Sequence, residues 1–251
     1  MPKSTFSPSH SSNHDLGASD PMLQADRLDY SLRRYFVDRF YFHHVPSLPT
    51  GSRVLDLGGN KVRKRGEFDI EQYELRVVYA DLSITKRPDV QADAAHVPFE
   101  DSCFDAVICS ELLEHVPDPP SVLREGHRVL EAGGILLMCV PFLSRIHGDP
   151  YDYGRYTDHY WRENLSRIGF VELRIQSQGL FWSVLVDMLR GLACQMAEEG
   201  RLRFTWMRGP FARLIGQCKR IALTWEAKTT CYDNPFLSSF TTGFAIRAVK
   251  P

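Results

Sequence analysis

The chain has 251 residues, with 30 Lys and Arg against 31 Asp and Glu, so its formal net charge is −1 at neutral pH. This balance excludes the long-range positive field that draws basic proteins onto nucleic acid, and we expect no nucleic-acid partner. A hydrophobic content of 43% is typical of a globular protein, and the length fits one large α/β domain or two small ones.

The start of the chain is rich in Ser, His, Asn and Pro and has no apolar core, which predicts a disordered tail over residues 1–25 rather than a secretory signal. The six cysteines contain no Cys-x-x-Cys pair, so we expect reduced thiols and a cytoplasmic protein. The most apolar segment, 179–196, carries Asp187 and Arg190 and is not expected to span a membrane.

The apolar residues predict alternating helices and strands. Aromatic and aliphatic residues recur at helical spacing from Asp26 to Val45, which predicts a first helix. Continuous short apolar runs are typical of parallel strands buried on both faces. Prolines mark helix starts and glycines mark helix ends. These rules predict strands at 53–57, 75–80, 104–109 and 135–142, a helix from Pro119 to Gly133-Gly134, a helix at 158–167, and strands at 170–175 and 240–249.

A glycine turn and a distant aspartate indicate a nucleotide-like ligand. The first strand, in Arg53-Val-Leu-Asp-Leu-Gly-Gly-Asn60, breaks into two glycines, and the second strand ends on Asp81. In α/β sheets such a turn brings backbone to an adenosine-containing cofactor, while the acid bonds the ribose hydroxyls. Further segments follow in order: Gln91-Ala-Asp-Ala94, Val97-Pro-Phe99, Phe104 to His115, and Arg128 to Gly134.

In that order and spacing, these segments resemble the class I S-adenosylmethionine-dependent methyltransferases, in particular their type 11 small-molecule branch. The resemblance covers about residues 51–170. It implies an α/β fold with a doubly wound, seven-stranded, mostly parallel sheet and an antiparallel strand near the C-terminus. It also implies a single domain over 26–251, with a helical insertion at about 179–238. In this family an N-terminal helix often covers the cofactor mouth, although a helix that covers only the sheet edge fits the pattern equally well.

The resemblance also implies a cofactor, S-adenosylmethionine, and the residues that hold it. The glycines would bring backbone N–H groups to its methionine and ribose portions, Asp56 would help to hold the ammonium group, and Asp81 would accept from two ribose hydroxyls. Asp93 matches the position that accepts from the adenine amino group. The implied cofactor residues are Asp56, Gly58, Gly59, Asn60, Asp81, Leu82, Asp93, Ala94, Ser110 and Glu111.

The glycine loop departs from the common Gly-x-Gly-x-Gly pattern. It reads Gly58-Gly-Asn-Lys-Val-Arg-Lys-Arg-Gly66, and four cations in five residues cannot form the usual apolar helix. We therefore expect an irregular or shortened first helix, as in a subgroup that resembles this chain and is associated with polysaccharide biosynthesis. The cations fit a solvated face better than a phosphate clamp.

A second polar stretch, Pro141 to Thr157, follows the strand at 135–142 and so lies where open α/β sheets bind ligands. It resembles the same polysaccharide-associated subgroup. His147 is the candidate general base, with Asp152 as the second catalytic candidate. Alternatively, Asp152 pairs with Arg155 and His147 caps backbone. His115 is expected to pin a short helix. The candidates for orienting an acceptor are Tyr151, Tyr153, Arg155 and Tyr156.

The sequence predicts methyl transfer to a small-molecule or lipid-linked acceptor, with a hydroxyl favoured and a sugar suggested by the subgroup. Two alternatives are a nucleotide-dependent oxidoreductase, disfavoured by the missing third glycine, and a non-catalytic methyltransferase-like partner protein.

The histidines show no ligand spacing beyond His43-His44, so no metal is predicted. The aromatic and basic region 180–225 predicts a packed lid on the acceptor side or, less favoured, peripheral membrane contact. Oligomeric state is not specified.

Overall fold

The computed structural model describes residues 24–62, 66–148, 150–198 and 205–251. The tail expected at 1–25 lies outside these residues except for its last two. Ala25 is buried, and its carbonyl oxygen accepts a hydrogen bond from Lys219 Nζ at 3.1 Å. The packed part of the chain therefore includes a residue that the sequence analysis assigned to the tail.

Seven strands form one sheet in the order β3-β2-β1-β4-β5-β7-β6. The pairs from β3 to β5 are parallel, whereas β7 runs antiparallel between β5 and β6. This topology confirms the predicted doubly wound, mostly parallel sheet with a C-terminal antiparallel strand. The strands are β1 Arg53–Leu57, β2 Arg76–Asp81, β3 Val90–Gln91, β4 Phe104–Ser110, β5 Leu130–Pro141, β6 Val171–Ser177 and β7 Gly243–Val249.

Helices cover both faces of the sheet and fill the connection between β6 and β7, as predicted for the insertion. None of the helices within the described ranges combines the length and the apolar character needed to cross a bilayer. The six cysteines are all free thiols. The α-helices are α1 Leu32–His44, α2 Pro119–Val129, α3 Asp158–Ile168, α4 Phe181–Glu198, α5 Thr205–Glu226, α6 Thr229–Tyr232 and α7 Pro235–Ser238.

The crossover from β1 to β2 has no α-helix in its described residues, only the 3-10 turn Ile70–Gln72. This result confirms the expected shortening, although Arg63, Lys64 and Arg65 of the charged run lie outside the described residues. The chain instead passes from β1 to β2 through an irregular loop. That loop lies beside the carboxyl end of the sheet, where it takes part in the cavity described below.

Two predicted helix boundaries were wrong for local reasons. Helix α1 begins at Leu32, later than Asp26, because the Ser31 side chain caps it by accepting from the backbone N–H of Arg34. Helix α2 ends at Val129, and β5 starts immediately and runs through Gly133 and Gly134. The two glycines thus lie inside the strand, next to a register shift against β4, rather than at the helix end.

Helix α1 lies between the sheet and the insertion. One face of α1 packs on the sheet, and the other packs on α4 and α5 through Tyr35, Val186 and Leu223. The Asp187 carboxylate on α4 accepts from the first backbone N–H groups of α1, those of Leu32 at 2.8 Å and Arg33 at 2.7 Å. A carboxylate at a helix N-terminus stabilises it, so the insertion fixes the position of α1.

Candidate active site

The carboxyl ends of β1, β2 and β4 and one side of α1 border a cavity of about 910 Å³. Its lining comes from turns that follow the parallel strands, which is the general location of ligand sites in open α/β sheets. The structure brings together at this cavity all of the residues expected to hold a cofactor. These are Asp56, Gly58, Gly59, Asn60, Asp81, Leu82, Asp93, Ala94, Ser110 and Glu111.

The turn after β1 requires its two glycines. Gly58 has φ +77°, in the left-handed region, and its N–H donates to the carbonyl of Ala80 at 2.8 Å. A Cβ at Gly59 would collide with the carboxylate of Asp56. The backbone of this turn is therefore open to the cavity, while the Asp56 carboxylate lies directly beside it.

Asp81 ends β2 with a carboxylate that is almost fully buried. Its Oδ1 accepts from the Ser83 N–H at 2.7 Å, and its Oδ2 pairs with Lys86 Nζ at 2.6 Å. Lys86 also reaches the Gly58 carbonyl at 3.3 Å, so one ammonium group joins the two turns of the proposed cofactor site. The sequence analysis missed Lys86 because an isolated lysine after a strand carries no distinctive pattern.

Two further cofactor candidates are held by local turns. The Asp93 Oδ1 atom accepts from the Ala95 N–H at 2.9 Å, and the Asp93 carbonyl accepts from the His96 N–H at 2.9 Å. The Asn60 side chain accepts from the Val62 N–H at 3.0 Å. These Asx turns fix the local backbone of both segments.

Helix α1 lines the cavity with Arg34, Val37, Asp38 and Tyr41, in agreement with the alternative in which it covers the cofactor mouth. Asp38 is buried and accepts from Tyr30 Oη at 2.6 Å and from the Glu67 N–H at 2.8 Å. Burial raises the pKa of the Asp38 carboxyl. Asp38 thereby ties α1 to the loop after β1, a role that a polar position in a helical pattern does not reveal.

Glu111 follows β4 in a left-handed conformation, with φ +52°. Such backbone strain in a residue other than glycine is common at functional sites. Its carboxylate pairs with Arg33 Nη2 of α1 at 2.5 Å. Burial raises the pKa of the Glu111 carboxyl, but the charge and hydrogen bond of Arg33 outweigh burial and leave the pKa below its usual value.

Beyond Glu111, the 3-10 turn Leu113–His115 directs two polar side chains towards the loop after β5. The turn is joined to that loop by the Tyr153 N–H, which donates to the Glu114 carbonyl at 2.7 Å, and by His115 Nδ1, which lies 2.6 Å from the Tyr151 carbonyl. His115 thus pins the short helix as expected, and it also lines the cavity. Burial and the charge of Glu111 raise the pKa of the Glu114 carboxyl to about 8.

The structure divides the predicted acceptor residues into two groups. Tyr151 and Tyr153 are exposed and line the cavity. Arg155 and Tyr156 do not line it: Arg155 pairs with the Asp152 carboxylate, with Nη2 2.8 Å from Oδ2, and Tyr156 stacks on Tyr160 with 4.2 Å between ring centroids. Their expected role in orienting an acceptor therefore has no support in their positions.

The two catalytic candidates, His147 and Asp152, do not line the cavity. The Asp152 Oδ2 atom accepts from the His147 N–H at 2.7 Å, and the hydrogen bond from Arg155 holds the pKa of the Asp152 carboxyl far below its usual value. This is the internal ion pair that the sequence analysis gave as the alternative. The His147 ring lies against His115, with 4.9 Å between centroids, and of these two rings only His115 lines the cavity.

The described residues of the insertion do not line the cavity. Its helices α4 and α5 pack on α1, and α1 lines the cavity. Its aromatic residues pack largely on one another: Phe181 contacts Trp182, Phe236 and Phe240, and Trp182 contacts Trp225. Phe204 lies outside the described residues. The cap on the acceptor side stays a prediction, and within the described residues α1 lies between the insertion and the cavity.

Comparison with known proteins agrees with this geometry. A family model described as "Methyltransferase domain" matches residues 55–138. The ubiquinone/menaquinone biosynthesis C-methyltransferase UbiE of Xylella fastidiosa (strain M23) is 37% identical over 111 residues, covering 38% of this chain and 44% of the relative. The ubiquinone biosynthesis O-methyltransferase of Pseudomonas syringae pv. tomato is 36% identical over 88 residues, covering 35% of each chain. The chain thus matches less than half the length of these curated relatives.

Solved structures show the same fold. A SAM dependent methyltransferase from Archaeoglobus fulgidus superposes with a TM-score of 0.51 at 15% identity, covering 86% of this chain and 94% of that chain. A phosphoethanolamine N-methyltransferase 2 of Haemonchus contortus, in complex with S-adenosyl-L-methionine, superposes with a TM-score of 0.50 at 16% identity, covering all of this chain and 61% of the other. Residues 55–138 thus match a methyltransferase domain, and the sheet order and cavity position are those of the class I S-adenosylmethionine-dependent methyltransferase fold.

Proposed function

We propose that the protein transfers a methyl group from S-adenosylmethionine to a hydroxyl of a small-molecule or lipid-linked acceptor. The observation that carries this proposal is the convergence of ten cofactor candidates from separate turns on one cavity of about 910 Å³. When bound, the cofactor supplies an electrophilic methyl group on a sulfonium. The chain must therefore hold the cofactor, exclude water and position a nucleophilic oxygen.

The residues present fit this cofactor. The Gly58-Gly59 turn has no side chains, and a Cβ at Gly59 would collide with the Asp56 carboxylate. Asp81 offers a buried carboxylate at the end of β2. We assign the ribose hydroxyls to Asp81, the adenine amino group to Asp93 and the methionine ammonium group to Asp56. Charged acceptors suit these donors because charge-assisted hydrogen bonds are roughly twice as strong as neutral ones.

We place the acceptor beside the loop after β5. Tyr151 and Tyr153 expose their rings at the cavity, and His115 and Gly148 line the same part of its wall. A sugar ring packs well on aromatic faces, and the resemblance of the 141–157 stretch to polysaccharide-associated methyltransferases favours a sugar hydroxyl. We assign His147, whose ring contacts His115, as the group that accepts the hydroxyl proton. We assign Asp152, which accepts from the His147 N–H, as the residue that positions His147.

Titration calorimetry with S-adenosylmethionine, S-adenosylhomocysteine and NAD tests the cofactor. We expect binding of the two sulfur ligands and none of NAD; NAD binding without the sulfur ligands would support an oxidoreductase instead. Transfer of a labelled methyl group to a panel of sugar, lipid-linked and phenolic hydroxyls tests the reaction. Cofactor binding with no transfer to any acceptor would support a non-catalytic partner protein.

A lipid-linked acceptor requires the protein to approach a membrane. Helix α4 exposes an aliphatic stripe at helical spacing, formed by Leu185, Met188, Leu189 and Leu192. Co-sedimentation with anionic vesicles at low salt tests contact through this stripe, with Leu189→Glu as the disrupting variant. Binding that this variant abolishes supports the lipid-linked acceptor, whereas no binding by the parent restricts the acceptor to soluble small molecules.

We place the protein in the cytoplasm because its six cysteines are free.

A further inference from the structure

Three side chains of the right chemistry for a metal ion meet beside the acceptor end of the cavity. Glu114 and His115 lie on the turn after β4, and His147 lies on the loop after β5. Their possible ligand atoms all lie within 4.8 Å of one another. We propose that Glu114, His115 and His147 bind a divalent transition-metal ion, in which case His147 holds the ion instead of accepting the hydroxyl proton itself.

The Glu114 carboxylate is the strongest reason for the proposal. Glu114 is 2% exposed, and neither of its carboxylate oxygens has a hydrogen-bond partner in the described part of the chain. Buried carboxylates are normally paired, hydrogen-bonded or bound to a metal, because burial of an unpaired polar group costs free energy. Its Oε1 atom faces His115 Nε2 at 3.6 Å and His147 Nε2 at 3.9 Å.

These distances suit a shared ion better than direct hydrogen bonds. Donors held about 2.0–2.1 Å from a tetrahedral ion lie about 3.4 Å from each other. The observed separations of 3.6 Å and 3.9 Å are close to that value and beyond ordinary hydrogen-bond length. The two histidine donors lie within 4.8 Å of each other, so they must move closer together to share one ion.

Both imidazoles place Nε2 within 4 Å of Glu114 Oε1. His115 Nδ1 lies 2.6 Å from the Tyr151 carbonyl, which accepts a hydrogen bond from the Nδ1–H. Around His147 Nδ1, the Arg145 carbonyl at 3.2 Å and Asp152 Oδ2 at 3.6 Å favour a proton on that atom, whereas the donor Arg155 Nη2 at 3.3 Å favours the other tautomer. Such outer partners fix the tautomer of metal-bound histidines in general. The Asp152–Arg155 pair thereby gains a role in positioning His147.

One carboxylate and two imidazoles favour Zn²⁺, Mn²⁺, Co²⁺ or Fe²⁺ over Mg²⁺ and Ca²⁺, which prefer oxygen donors. Three protein ligands leave open positions for an exogenous oxygen. His115 lines the cavity together with Tyr151 and Tyr153, so those positions lie next to the proposed acceptor. If the proposed methyl transfer holds, an ion here would bind the acceptor hydroxyl and lower its pKa, easing loss of its proton to solvent or a nearby base.

Metal binding is tested on the tag-free 251-residue chain without cofactor or acceptor, so that failure of the proposed methyl transfer does not affect the result. Protein is equilibrated with Zn²⁺, Mn²⁺ or Co²⁺, and bound ion is measured by calorimetry and by elemental analysis after gel filtration. We expect one ion per chain in the parent and at least a tenfold weaker affinity in Glu114→Gln and in His147→Asn. The Co²⁺ form should also show visible absorption that both variants lose.

The matched controls are His96→Asn and Glu163→Gln, which change exposed residues outside the cavity and should leave the ion affinity unchanged. Circular dichroism reports whether each variant folds. If Glu114→Gln does not fold, His147→Asn decides, because His147 is on a loop with a third of its side chain exposed. Absence of binding by the parent, or equal binding by parent and folded variants, would overturn the proposal.

Discussion

Lys86 Nζ lies 2.6 Å from Asp81 Oδ2, so the carboxylate to which we assign the ribose hydroxyls already has a cationic partner. Asp81 is nearly buried, whereas about a third of the Lys86 side chain is exposed. The pair therefore stabilises a buried charge from the solvent side. A ligand that bonds both carboxylate oxygens must share Asp81 with Lys86 or displace it.

Replacing Lys86 with Met should strengthen cofactor binding severalfold. The substitution keeps an unbranched chain but leaves the Asp81 carboxylate without its cation, and ribose hydroxyls can then satisfy it without displacing an ion pair. Titration with S-adenosylhomocysteine at two salt concentrations measures the effect. Weaker binding by the variant at both concentrations would show that Lys86 helps to hold the ligand instead.

Replacing Asp81 with Ala should weaken binding of S-adenosylhomocysteine by about 2–3 kcal/mol, the range for lost hydrogen bonds to a charged group. Asp101→Asn is the control, because Asp101 is a largely exposed aspartate that pairs with Arg128 away from the cavity. Both variants are titrated after their thermal stability is checked. An unchanged affinity in folded Asp81→Ala would mean that β2 does not supply the ribose contact.

The sequence was sufficient to predict the sheet and the strand-end residues that meet at the cavity, because both depend on short local patterns. Buried parallel strands give continuous apolar runs, and Gly58, Gly59 and Asp81 follow such runs directly. The contacts of Asp38, Lys86 and Glu114 could not be predicted in this way. Each depends on where α1 or a loop lies in three dimensions, and neither periodicity nor spacing encodes that position.

The acceptor side was harder to predict for a related reason. The sequence grouped His147, Asp152 and Arg155 in one polar stretch but could not show which of them turn towards the cavity. The fold uses Arg155 to neutralise Asp152, leaving the tyrosines at the surface of the cavity. The insertion was placed correctly along the chain, yet its position against α1 depends on tertiary packing and on the Asp187 cap.

The Arg33–Glu111 pair should contribute strongly to stability because both side chains are largely buried, at 11% and 13% exposure. Arg33→Met should lower the free energy of unfolding by about 3 kcal/mol, since it leaves a buried charge uncompensated. Adding Glu111→Gln should recover part of that loss. Urea unfolding of the parent, both single variants and the double variant gives the coupling energy.

The control for this cycle is the exposed pair of Arg167 and Glu163 on α3, with side chains 69% and 70% exposed. Its coupling energy should be about 0.3–0.5 kcal/mol, as for other exposed helix pairs. Equal coupling energies for the two pairs would contradict the inference that burial sets the strength of the Arg33–Glu111 interaction.

Asp187→Ala should destabilise the protein by about 1–2 kcal/mol, as expected for loss of a helix N-cap. Asp187 accepts from the first two N–H groups of α1, so hydrogen exchange should increase most in the first turn of α1. Glu163→Ala on the surface of α3 is the control for a lost exposed carboxylate. A uniform increase in exchange across the chain, without a local maximum in α1, would contradict a specific capping role.

His147→Ala should lower methyl transfer by about a hundredfold to ten-thousandfold, the usual contribution of a proton acceptor, while leaving folding and cofactor affinity intact. The ring does not line the cavity, so its loss should not disturb the Gly58 and Asp81 contacts. Turnover, thermal stability and calorimetry are compared with those of His159→Ala, an exposed histidine on α3. Turnover of the folded variant within a fewfold of the parent would remove His147 from catalysis.

If His147→Ala does lower turnover, chelator treatment of the parent separates the two roles assigned to the ring. Retained turnover supports direct proton acceptance, whereas a loss as large as that in His147→Ala supports action through a bound ion.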